Sequence, residues 1–499
     1  METSAWDELL RRMGELRDFA GIVGLLTWDQ ETFMPAAAAE SRAAQLAAMQ
    51  GLVHERLTDP RLGELLDACA DSPDEVRRAM VRNLARERGR AVRVPPALVR
   101  ELAQAQARAV EAWRHARREA RFDVFQPHLE RLVELRRAQA DAIGHGGERY
   151  DALLEAHEPG MAVARIEPLF AELERELIPI VAALADRPPP PAWDWSRHTF
   201  PADAQWSFTL HLLREMGFDF DRGRQDRSTH PFTDGIFVDD VRVTTRILES
   251  NPFVAIFSTI HEGGHALYEQ NLPRELARTP AGAAASMGLH ESQSRLWENA
   301  IGRSLPFWRR QLPALRAHFP SQLEGVEPEA VFAAVNRVAR SPIRVEADEV
   351  TYNLHILLRF GLELALLRGD LPVADLPAAW NERMRRDVGV TPRDDVEGVL
   401  QDIHWAWAEF GYFPTYTLGN LYAAILHERL DRDLGGLDAA IEAGRLLEVR
   451  DWLAEKVHAL GHVHDAEAIV ERATGEKLSV APFLRYLRGK YGPLYGVRL

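Results

Sequence analysis

Hydrophobic residues recur every three to four positions along most of the chain, which is the period of an amphipathic α-helix. The segments with this pattern are rich in Ala, Leu, Glu and Arg, residues that favour helices. The clearest of the predicted helices are Ala37–Arg56, Asp74–Arg90, Pro96–Arg121, Asp123–Ile143 and Ala162–Ala185. The sequence therefore predicts a mainly α fold.

One segment shows a strand pattern instead. Gly235–Ile247 is rich in β-branched residues that partly alternate with polar ones, and Asp239-Asp240 at its centre predicts a turn. The segment ends shortly before a predicted helix that carries two histidines, His261 and His265. We therefore expect a small sheet beside that helix.

Two other segments interrupt the helical pattern. Pro188 to Pro191 are four consecutive prolines, which form a stiff connector, and a subdomain boundary is expected near residues 186–195. Residues 219–234 form a second break, in which no helix is predicted. A chain of 499 residues suffices for two to four average domains or for one large body. We interpret residues 1–499 as a single domain.

A five-residue motif, His261-Glu262-Gly263-Gly264-His265, matches the His-Glu-x-x-His pattern of zinc peptidases. Residues four apart share one face of a helix, so both imidazoles can bind the same metal ion. Glu262 lies beside that face, where it can take a proton from a water molecule at the metal. The two glycines weaken a helix by about 1 kcal/mol each relative to Ala. We interpret them as positions where a side chain would block the substrate or a neighbouring strand.

A third metal ligand is expected downstream, since a catalytic zinc has three protein ligands and an open position. Glu291 lies 26 residues after His265, and His290 competes with it on chemistry alone. Glu291 is favoured because a distant Glu after such a helix is a known architecture of zinc peptidases. Glu269, one turn after His265, is predicted to orient a ligand imidazole, with a solvated helix charge as the alternative. The cofactor predicted is one divalent metal ion per chain, zinc first and cobalt second.

Charge and cysteine content restrict the binding partners and the cellular compartment that the sequence predicts. The formal net charge of -15 argues against nucleic acid or an anionic membrane as a partner. No run of 18 apolar residues occurs, so no membrane span is expected. Cys69 is the only cysteine, and the N-terminal residues lack the apolar core of a signal peptide. A cytoplasmic protein without disulfides is therefore predicted.

Six short motifs follow one another in a characteristic order. They are HPF at His230–Phe232, DVRVT at Asp240–Thr244, HEGGH at His261–His265, HESQ at His290–Gln293, IRVEAD at Ile343–Asp348 and GVLQDIHW at Gly398–Trp405. In this order they resemble the carboxypeptidase Taq family of metallocarboxypeptidases. Flanking segments from Leu26–Pro35 to Phe483–Gly496 are also similar to that family, so the resemblance covers nearly the whole chain.

The resemblance implies a fold, an assembly and an activity. The fold is a large, helical, saddle-like body with a deep cleft and a small sheet beside the metal-binding helix, related to neurolysin and angiotensin-converting enzyme. The assembly is a homodimer. The activity is metal-dependent removal of C-terminal residues, one at a time, from peptides with a free C-terminus. The alternatives are an oligopeptidase of the same fold that cuts internal bonds or releases dipeptides, and an inactive peptide-binding scaffold.

The wider fold class also favours a His and a Tyr that donate hydrogen bonds to the oxyanion formed during peptide hydrolysis. His404 and Tyr416 have the matching spacing, and Tyr412 is a rival for the second role. For a His or a Tyr in such an aromatic segment, the alternative is core packing with a satisfied polar tip.

A carboxypeptidase must recognise the free C-terminal carboxylate, and the planar fork of an Arg binds a carboxylate through two hydrogen bonds. Arg344 in the IRVEAD motif is predicted to be this anchor. The alternative for Arg344 is an ion pair with Glu346 or Asp348. Arg242 in the DVRVT motif is the second candidate for the anchor.

Overall fold

The computed structural model describes residues 4–499, which form helices and one small sheet. The helices before the sheet are α1 (Ala5–Thr32), α2 (Ala39–Thr58), α3 (Pro60–Ala68), α4 (Glu75–Arg93), α5 (Pro96–Glu119), α6 (Phe122–Ile143), α7 (Arg149–Leu154), α8 (Val163–Ala185) and α9 (Ala202–Met216). The strands are β1 (Gly223–Arg227), β2 (Thr233–Phe237) and β3 (Asp240–Thr245). The helices after the sheet are α10 (Pro252–Gln270), α11 (Met287–Arg295), α12 (Leu305–His318), α13 (Pro328–Val335), α14 (Tyr352–Arg368), α15 (Leu376–Arg383), α16 (Pro414–Asp433), α17 (Leu437–Glu442), α18 (Leu446–Lys456), α19 (Ala466–Thr474) and α20 (Ala481–Tyr495).

The prediction of a mainly α fold with a small sheet is confirmed. The five predicted helices are present as α2, α4, α5, α6 and α8, and their ends differ from the predicted ones by at most three residues. Within residues 4–499, no helix is both long enough and apolar enough to cross a lipid bilayer.

The chain divides into two compact units. The first unit contains the described residues of Met1–Ala91, together with Pro191–Val335 and Tyr422–Leu478. The second unit contains Val92–Pro190, Asn336–Leu421 and Ser479–Leu499. One boundary falls between the third and fourth of the four consecutive prolines, within the predicted connector. That the whole chain acts as one catalytic domain stays a prediction.

The sheet of the first unit confirms one sequence prediction and corrects another. The segment Gly235–Ile247, predicted to contain a central turn, contributes to a hairpin in which β2 and β3 pair antiparallel around a turn at residues 238–239. The segment 219–234 contains β1, which pairs parallel with β3 and was not predicted. Its sequence, Gly-Arg-Gln-Asp-Arg, has no β-branched residue, so pairing with β3 rather than local propensity makes it a strand.

Helix α10 carries the two histidines and is buried along most of its length. Asn251 caps its first turn by accepting a hydrogen bond from the backbone N–H of Phe253, and Pro252 stands at the first helical position. A Cβ on Gly264 would lie 2.7 Å from backbone atoms of Ser294 on α11, and a Cβ on Gly263 would meet Met216 of α9 at 2.8 Å. The glycines therefore allow close helix packing, and the neighbours that exclude a side chain are helices rather than a strand or a substrate.

Helix α14 forms the centre of the second unit. All but three of its seventeen residues are buried, including the charged side chains of Arg359 and Glu363. Phe360 makes edge-to-face contacts with Tyr150 from α7 and Phe170 from α8, with ring centroids 5.4 and 5.2 Å apart. A helix buried on all sides must pair its charged groups internally, and those pairs are described below.

Candidate metal centre and arginine cluster

The three predicted metal ligands come together in the first unit. His261 and His265 lie one turn apart on α10, and Glu291 lies on α11. Glu291 Oε2 is 3.6 Å from His261 Nε2 and 3.4 Å from His265 Nε2. The three ligand atoms all lie within 4.8 Å of one another. Tetrahedral ligands about 2.1 Å from one zinc ion stand roughly 3.4 Å apart, so the donor set and its spacing fit such an ion.

The imidazole of His261 is oriented by a carboxylate that the sequence prediction missed. His261 Nδ1 lies 2.8 Å from Glu298 Oε2, which leaves Nε2 to face Glu291. Arg303 donates a hydrogen bond of 2.8 Å to Glu298. Burial opposes ionisation of Glu298, but Arg303 and the hydrogen bond with His261 outweigh it and hold the pKa of Glu298 far below its usual range. Such a carboxylate fixes the tautomer of a ligand histidine.

Glu298 lies in a π-helical segment, Leu296–Gly302, that directly continues α11. Wide turns of this kind are rare and often occur at functional sites. The spacing of seven residues from Glu291 to Glu298 equals about two helical turns, so both carboxylates face the same side. This spacing is the signal from which Glu298 could have been predicted.

The imidazole of His265 is oriented through a second histidine. His265 Nδ1 lies 2.5 Å from His290 Nδ1, and His290 Nε2 lies 2.7 Å from Glu269 Oε1. If Glu269 accepts the proton of His290 Nε2, then His290 Nδ1 accepts from His265 Nδ1, and His265 Nε2 keeps its lone pair. Glu269 thus reaches a ligand imidazole only through His290, whereas a direct contact was expected. His290, the rival ligand, lies on the far side of His265 from Glu291.

Burial and the neighbouring charges favour the protonation states that a metal requires at His265 and Glu291, but not at His261. Burial lowers the pKa of His265 to about 3, so this imidazole is neutral at neutral pH. Burial opposes ionisation of Glu291, but Arg295 and the neighbouring histidines keep its pKa well below the usual range. Arg295 Nε lies 2.6 Å from Glu291 Oε1, which leaves Oε2 facing the histidines. Burial likewise opposes protonation of His261, yet Glu291 and the hydrogen bond with Glu298 raise its pKa.

Glu262 lies next to the candidate ligands and is held by the sheet. Its side chain accepts a hydrogen bond from Thr233 Oγ1 on β2 at 2.9 Å. Burial raises the pKa of Glu262 above its usual value, although His261 opposes the shift. A carboxylate whose pKa is raised toward neutrality is a better proton acceptor than an ordinary one. Thr233 was not predicted, because its contact with Glu262 depends on how β2 packs against α10.

The second anchor candidate, Arg242, already has partners in the first unit. Its Nε and Nη2 atoms each lie 2.8 Å from a carboxylate oxygen of Asp240. Its guanidinium also lies 4.3 Å from the ring centroid of Trp28 on α1. Both hydrogen bonds of the fork thus go to one aspartate, and the place of Arg242 as the second anchor candidate stays a prediction.

Arg344, the first anchor candidate, lies in the second unit and is buried. The expected alternative, an ion pair with Glu346 or Asp348, is not found among residues 4–499. Instead, Arg344 Nε and Nη2 lie 3.1 and 2.8 Å from Asp402 Oδ1, and Nη1 donates to the Tyr352 hydroxyl at 3.2 Å. Asp402 belongs to the GVLQDIHW motif, so two of the six motifs meet in this ion pair.

Asp402 also binds a second arginine. Arg359 Nε on α14 lies 2.6 Å from Asp402 Oδ2. Burial opposes ionisation of Asp402, but Arg359 and Arg344 outweigh it and hold the pKa of Asp402 far below its usual range. Burial keeps the nearby His355 neutral by lowering its pKa to about 3. Two arginines around one carboxylate leave an excess positive charge, which suits the binding of a further anion. We call these three residues, Arg344, Arg359 and Asp402, the arginine cluster.

The three predicted oxyanion donors lie together beside the arginine cluster. The ring of His404 lies 5.7 Å from that of Tyr412 and 6.4 Å from that of Tyr416, and Tyr416 also lies under Arg344 at 5.4 Å. His404 Nδ1 is 4.0 Å from Asp402 Oδ1. Burial lowers the pKa of His404 to about 4, so the imidazole is neutral at neutral pH and can donate one hydrogen bond.

Comparison with known proteins identifies the family. The family model of the carboxypeptidase Taq (M32) metallopeptidases matches residues 8–491. The chain is 45% identical to thermostable carboxypeptidase 1 of Thermus thermophilus, with 99% of each chain covered. It is 38% identical to carboxypeptidase 1 of Bacillus subtilis, over 98% of this chain and 97% of that one. The solved structure of an M32 carboxypeptidase from Deinococcus radiodurans superimposes with a TM-score of 0.96, at 40% identity over 99% of this chain and 100% of that one.

The chain belongs to the carboxypeptidase Taq family. It is therefore a metallocarboxypeptidase that acts on peptides, and the main prediction from the sequence is confirmed. The alternatives of an oligopeptidase and of an inactive scaffold find no support, since the relatives are named carboxypeptidases.

Two of the motifs that carried the resemblance to the carboxypeptidase Taq family supply the candidate metal centre, and two supply the arginine cluster. HEGGH and HESQ hold the metal candidates, and IRVEAD and GVLQDIHW hold Arg344 and Asp402. The DVRVT motif forms β3, whose hairpin partner β2 holds Glu262 through Thr233. The HPF motif immediately precedes Thr233, so it leads directly into β2.

Proposed function

We propose that His261, His265 and Glu291 bind one divalent metal ion, zinc first and cobalt second. The observation that supports this proposal is the convergence of one carboxylate oxygen and two imidazole nitrogens, each imidazole being held from behind by a hydrogen bond. Two histidines and one glutamate are a common donor set for a catalytic zinc. When bound, the metal supplies Lewis-acid polarisation of the peptide carbonyl and lowers the pKa of a water molecule.

Glu262 acts as the general base in this proposal. Its carboxylate takes a proton from the attacking water and then delivers it to the leaving amine nitrogen. The raised pKa of Glu262 supports both steps, because a base with a pKa nearer to neutrality gains and loses a proton more readily. Thr233 limits the rotation of the carboxylate through its hydrogen bond, so the base stays aligned between proton donor and acceptor.

Arg344 binds the C-terminal carboxylate of the substrate in this proposal, and so restricts cleavage to the last peptide bond. The excess positive charge of the arginine cluster supports this role, since Asp402 neutralises only one of its two arginines. His404 and Tyr416 donate hydrogen bonds to the developing oxyanion, and Tyr412 remains the rival for the second donor. The neutral state of His404 leaves one ring N–H for such a bond.

The enzyme is further proposed to be a cytoplasmic homodimer. A single cysteine, Cys69, without a disulfide fits a reducing compartment. The dimer follows from the family resemblance, and sedimentation of the purified protein tests it directly.

Time-resolved digestion of a synthetic peptide tests the function. We expect the purified protein, loaded with zinc, to shorten the free-acid peptide by one residue at a time, which mass spectrometry resolves as a ladder. The same peptide with an amidated C-terminus should be cleaved far more slowly. Release of dipeptides or of internal fragments from both peptides would contradict the proposal.

A further inference from the structure

Glu363 is a buried acid that the proposed mechanism does not use. It lies on α14, and its carboxylate receives three hydrogen bonds. The donors are the Tyr150 hydroxyl at 2.8 Å, the indole N–H of Trp405 at 2.8 Å and the backbone N–H of Gly411 at 3.2 Å. Tyr150 comes from α7, whereas Trp405 and Gly411 lie on either side of the irregular segment that follows His404.

The chain from Asp402 to Gly411, here called the 402–411 segment, is attached to α14 at both ends. Arg359 binds Asp402 at its start, and Glu363, one turn further along α14, binds the backbone of Gly411 at its end. His404 lies between these attachments, and Tyr412 follows directly after the second. The shape of the segment therefore depends on two charged side chains of one helix.

The backbone of the 402–411 segment is strained at Ala408. Ala408 has φ 56° and Gly411 has φ 85°. The left-handed region costs an alanine about 1–2 kcal/mol, so surrounding contacts must hold Ala408 there. Arg136 Nε donates to the carbonyl of Ala408 at 2.6 Å, and a Cβ on Gly411 would lie 2.9 Å from the backbone of Leu153. Strain of this kind persists only where the neighbouring structure imposes it.

We propose that Glu363 is a positioning residue, which holds the 402–411 segment in the shape that presents His404 for catalysis. The inference rests on the proposed function, since it assumes that His404 takes part in the reaction. An ionised carboxylate is the group that fits, because it offers only acceptors to three donors. An amide would bring its N–H₂ against the N–H of either Trp405 or Gly411, because each carboxylate oxygen faces one of them. A protonated side chain would have to donate to the Tyr150 hydroxyl and so reverse that hydrogen bond.

Because Glu363 can be protonated, its hold on the 402–411 segment should depend on pH. Burial raises the pKa of Glu363 to about 7, although its three hydrogen bonds oppose the shift. The charged groups that face it are Glu409 of the segment and Arg136 of α6. The folded-state pKa is raised, so the contribution of Glu363 to stability is greatest below about pH 4.5 and is lost as the pH rises through about 7. The proposed positioning of the 402–411 segment has the opposite pH dependence, because it needs the ionised form of Glu363.

The first test compares the pH profiles of the parent enzyme and Glu363→Gln. At about pH 8 the variant should lose on the order of ten- to a hundred-fold in kcat, with KM nearly unchanged, because misplacement of His404 acts in the transition state. The ratio of parent to variant kcat should fall toward one as the pH drops to about 6, where the parent carboxyl also becomes protonated. Titration of Glu262 affects both proteins and cancels in this ratio.

Glu349→Gln is the matched control. Glu349 is an acid of the second unit that receives hydrogen bonds from Lys490 at 2.7 Å and Tyr491 at 2.9 Å, both on α20, and its side chain is only 3% exposed. Its replacement should lower stability without changing the pH dependence of kcat. Equal losses of kcat in the two variants, or a parent-to-variant ratio for Glu363→Gln that does not change with pH, would overturn the positioning role.

A double-mutant cycle with Trp405→Phe tests the hydrogen bonds themselves. Phe at this position removes one of the three donors. The amide introduced by Glu363→Gln can then turn its own N–H₂ toward the vacated position. The loss caused by Glu363→Gln should therefore be several-fold smaller in the Trp405→Phe background. Additive losses would contradict the proposed contact.

His404→Ala separates the failure of this inference from that of the proposed function. If His404→Ala retains the activity of the parent, the proposed role of His404 fails. If His404→Ala loses activity while Glu363→Gln matches the parent at about pH 8, the positioning role of Glu363 alone is wrong.

Discussion

The metal centre and the arginine cluster differ in how their parts are connected along the chain. The proposed metal centre uses residues within one stretch, His261 to Glu298, and two of its proposed ligands share a helix face through a spacing of four. The arginine cluster joins Arg344 and Arg359 to Asp402, more than forty residues further along. The first site thus needs local helical geometry and the packing of one adjacent helix, α11, whereas the second depends on tertiary packing around α14.

The two sites also differ in charge. In the proposed metal centre, carboxylates contact the imidazoles: Glu298 contacts His261, and Glu269 contacts His290. In the arginine cluster, one carboxylate stands between two permanent cations. The first arrangement suits a cation and the second suits an anion, so the two units offer opposite kinds of binding site.

The largest effect is expected for loss of a metal ligand. His265→Ala should abolish both stoichiometric metal and peptide hydrolysis, because two remaining ligands hold a divalent ion poorly. Metal analysis of the purified variant, together with its turnover of a free-acid peptide, measures both. One tightly bound ion per chain with normal turnover would contradict the ligand assignment.

Glu291→Ala and His290→Ala test the third ligand. Glu291→Ala should lose the metal, whereas His290→Ala should keep it with weakened affinity, because His290 only contacts the far nitrogen of His265. The opposite result would make His290 the ligand.

Glu262→Gln should produce the next largest effect. The variant should keep its metal, since Glu262 is not a ligand, but its kcat should fall by several powers of ten because no base accepts the proton. Metal analysis and steady-state kinetics measure the two quantities. Activity within about tenfold of the parent would exclude the role of general base.

Arg344→Ala addresses the arginine cluster. We expect kcat/KM for a free-acid peptide to fall by about ten- to a hundred-fold, because a charge-assisted contact with the substrate is lost. The preference for the free acid over the amide should shrink, mainly through slower cleavage of the acid.

Arg242→Ala is the control for this variant, since Arg242 is also held by an aspartate, Asp240. It should leave the preference for the free acid unchanged. A preference that stays as strong in Arg344→Ala as in the parent would show that Arg344 is not the anchor.

The smallest effects are expected for the two carboxylates that orient the histidines of the proposed metal centre, Glu298 and Glu269. Glu298→Gln should weaken metal binding by roughly ten-fold, because a charged partner of a ligand histidine becomes neutral. Glu269→Gln should weaken it less, because Glu269 acts through His290 rather than on a ligand directly. Competition with a chelator measures both affinities, and equal losses would mean that the intervening histidine transmits the full effect.

The contrast between the sites explains how far the sequence could predict them. The spacing of His261 and His265 follows from the helix period alone, and Glu291 required only that a second helix fold back onto the first. Thr233 and Asp402 could not be found in this way, because their contacts arise from the packing of β2 on α10 and of the 402–411 segment on α14. Strand β1 was missed for the same reason, since its polar residues form a strand only when β3 is present.

The close approach of α10 and α11 at Gly264 has a consequence for metal exchange. Because backbone meets backbone there, the distance between the ligand-bearing helices is set by main-chain contact rather than by flexible side chains. The entropy lost in bringing His261, His265 and Glu291 together is therefore lost when the protein folds, not when the ion arrives. An enzyme stripped of its ion should regain it at the rate of encounter, without a refolding phase.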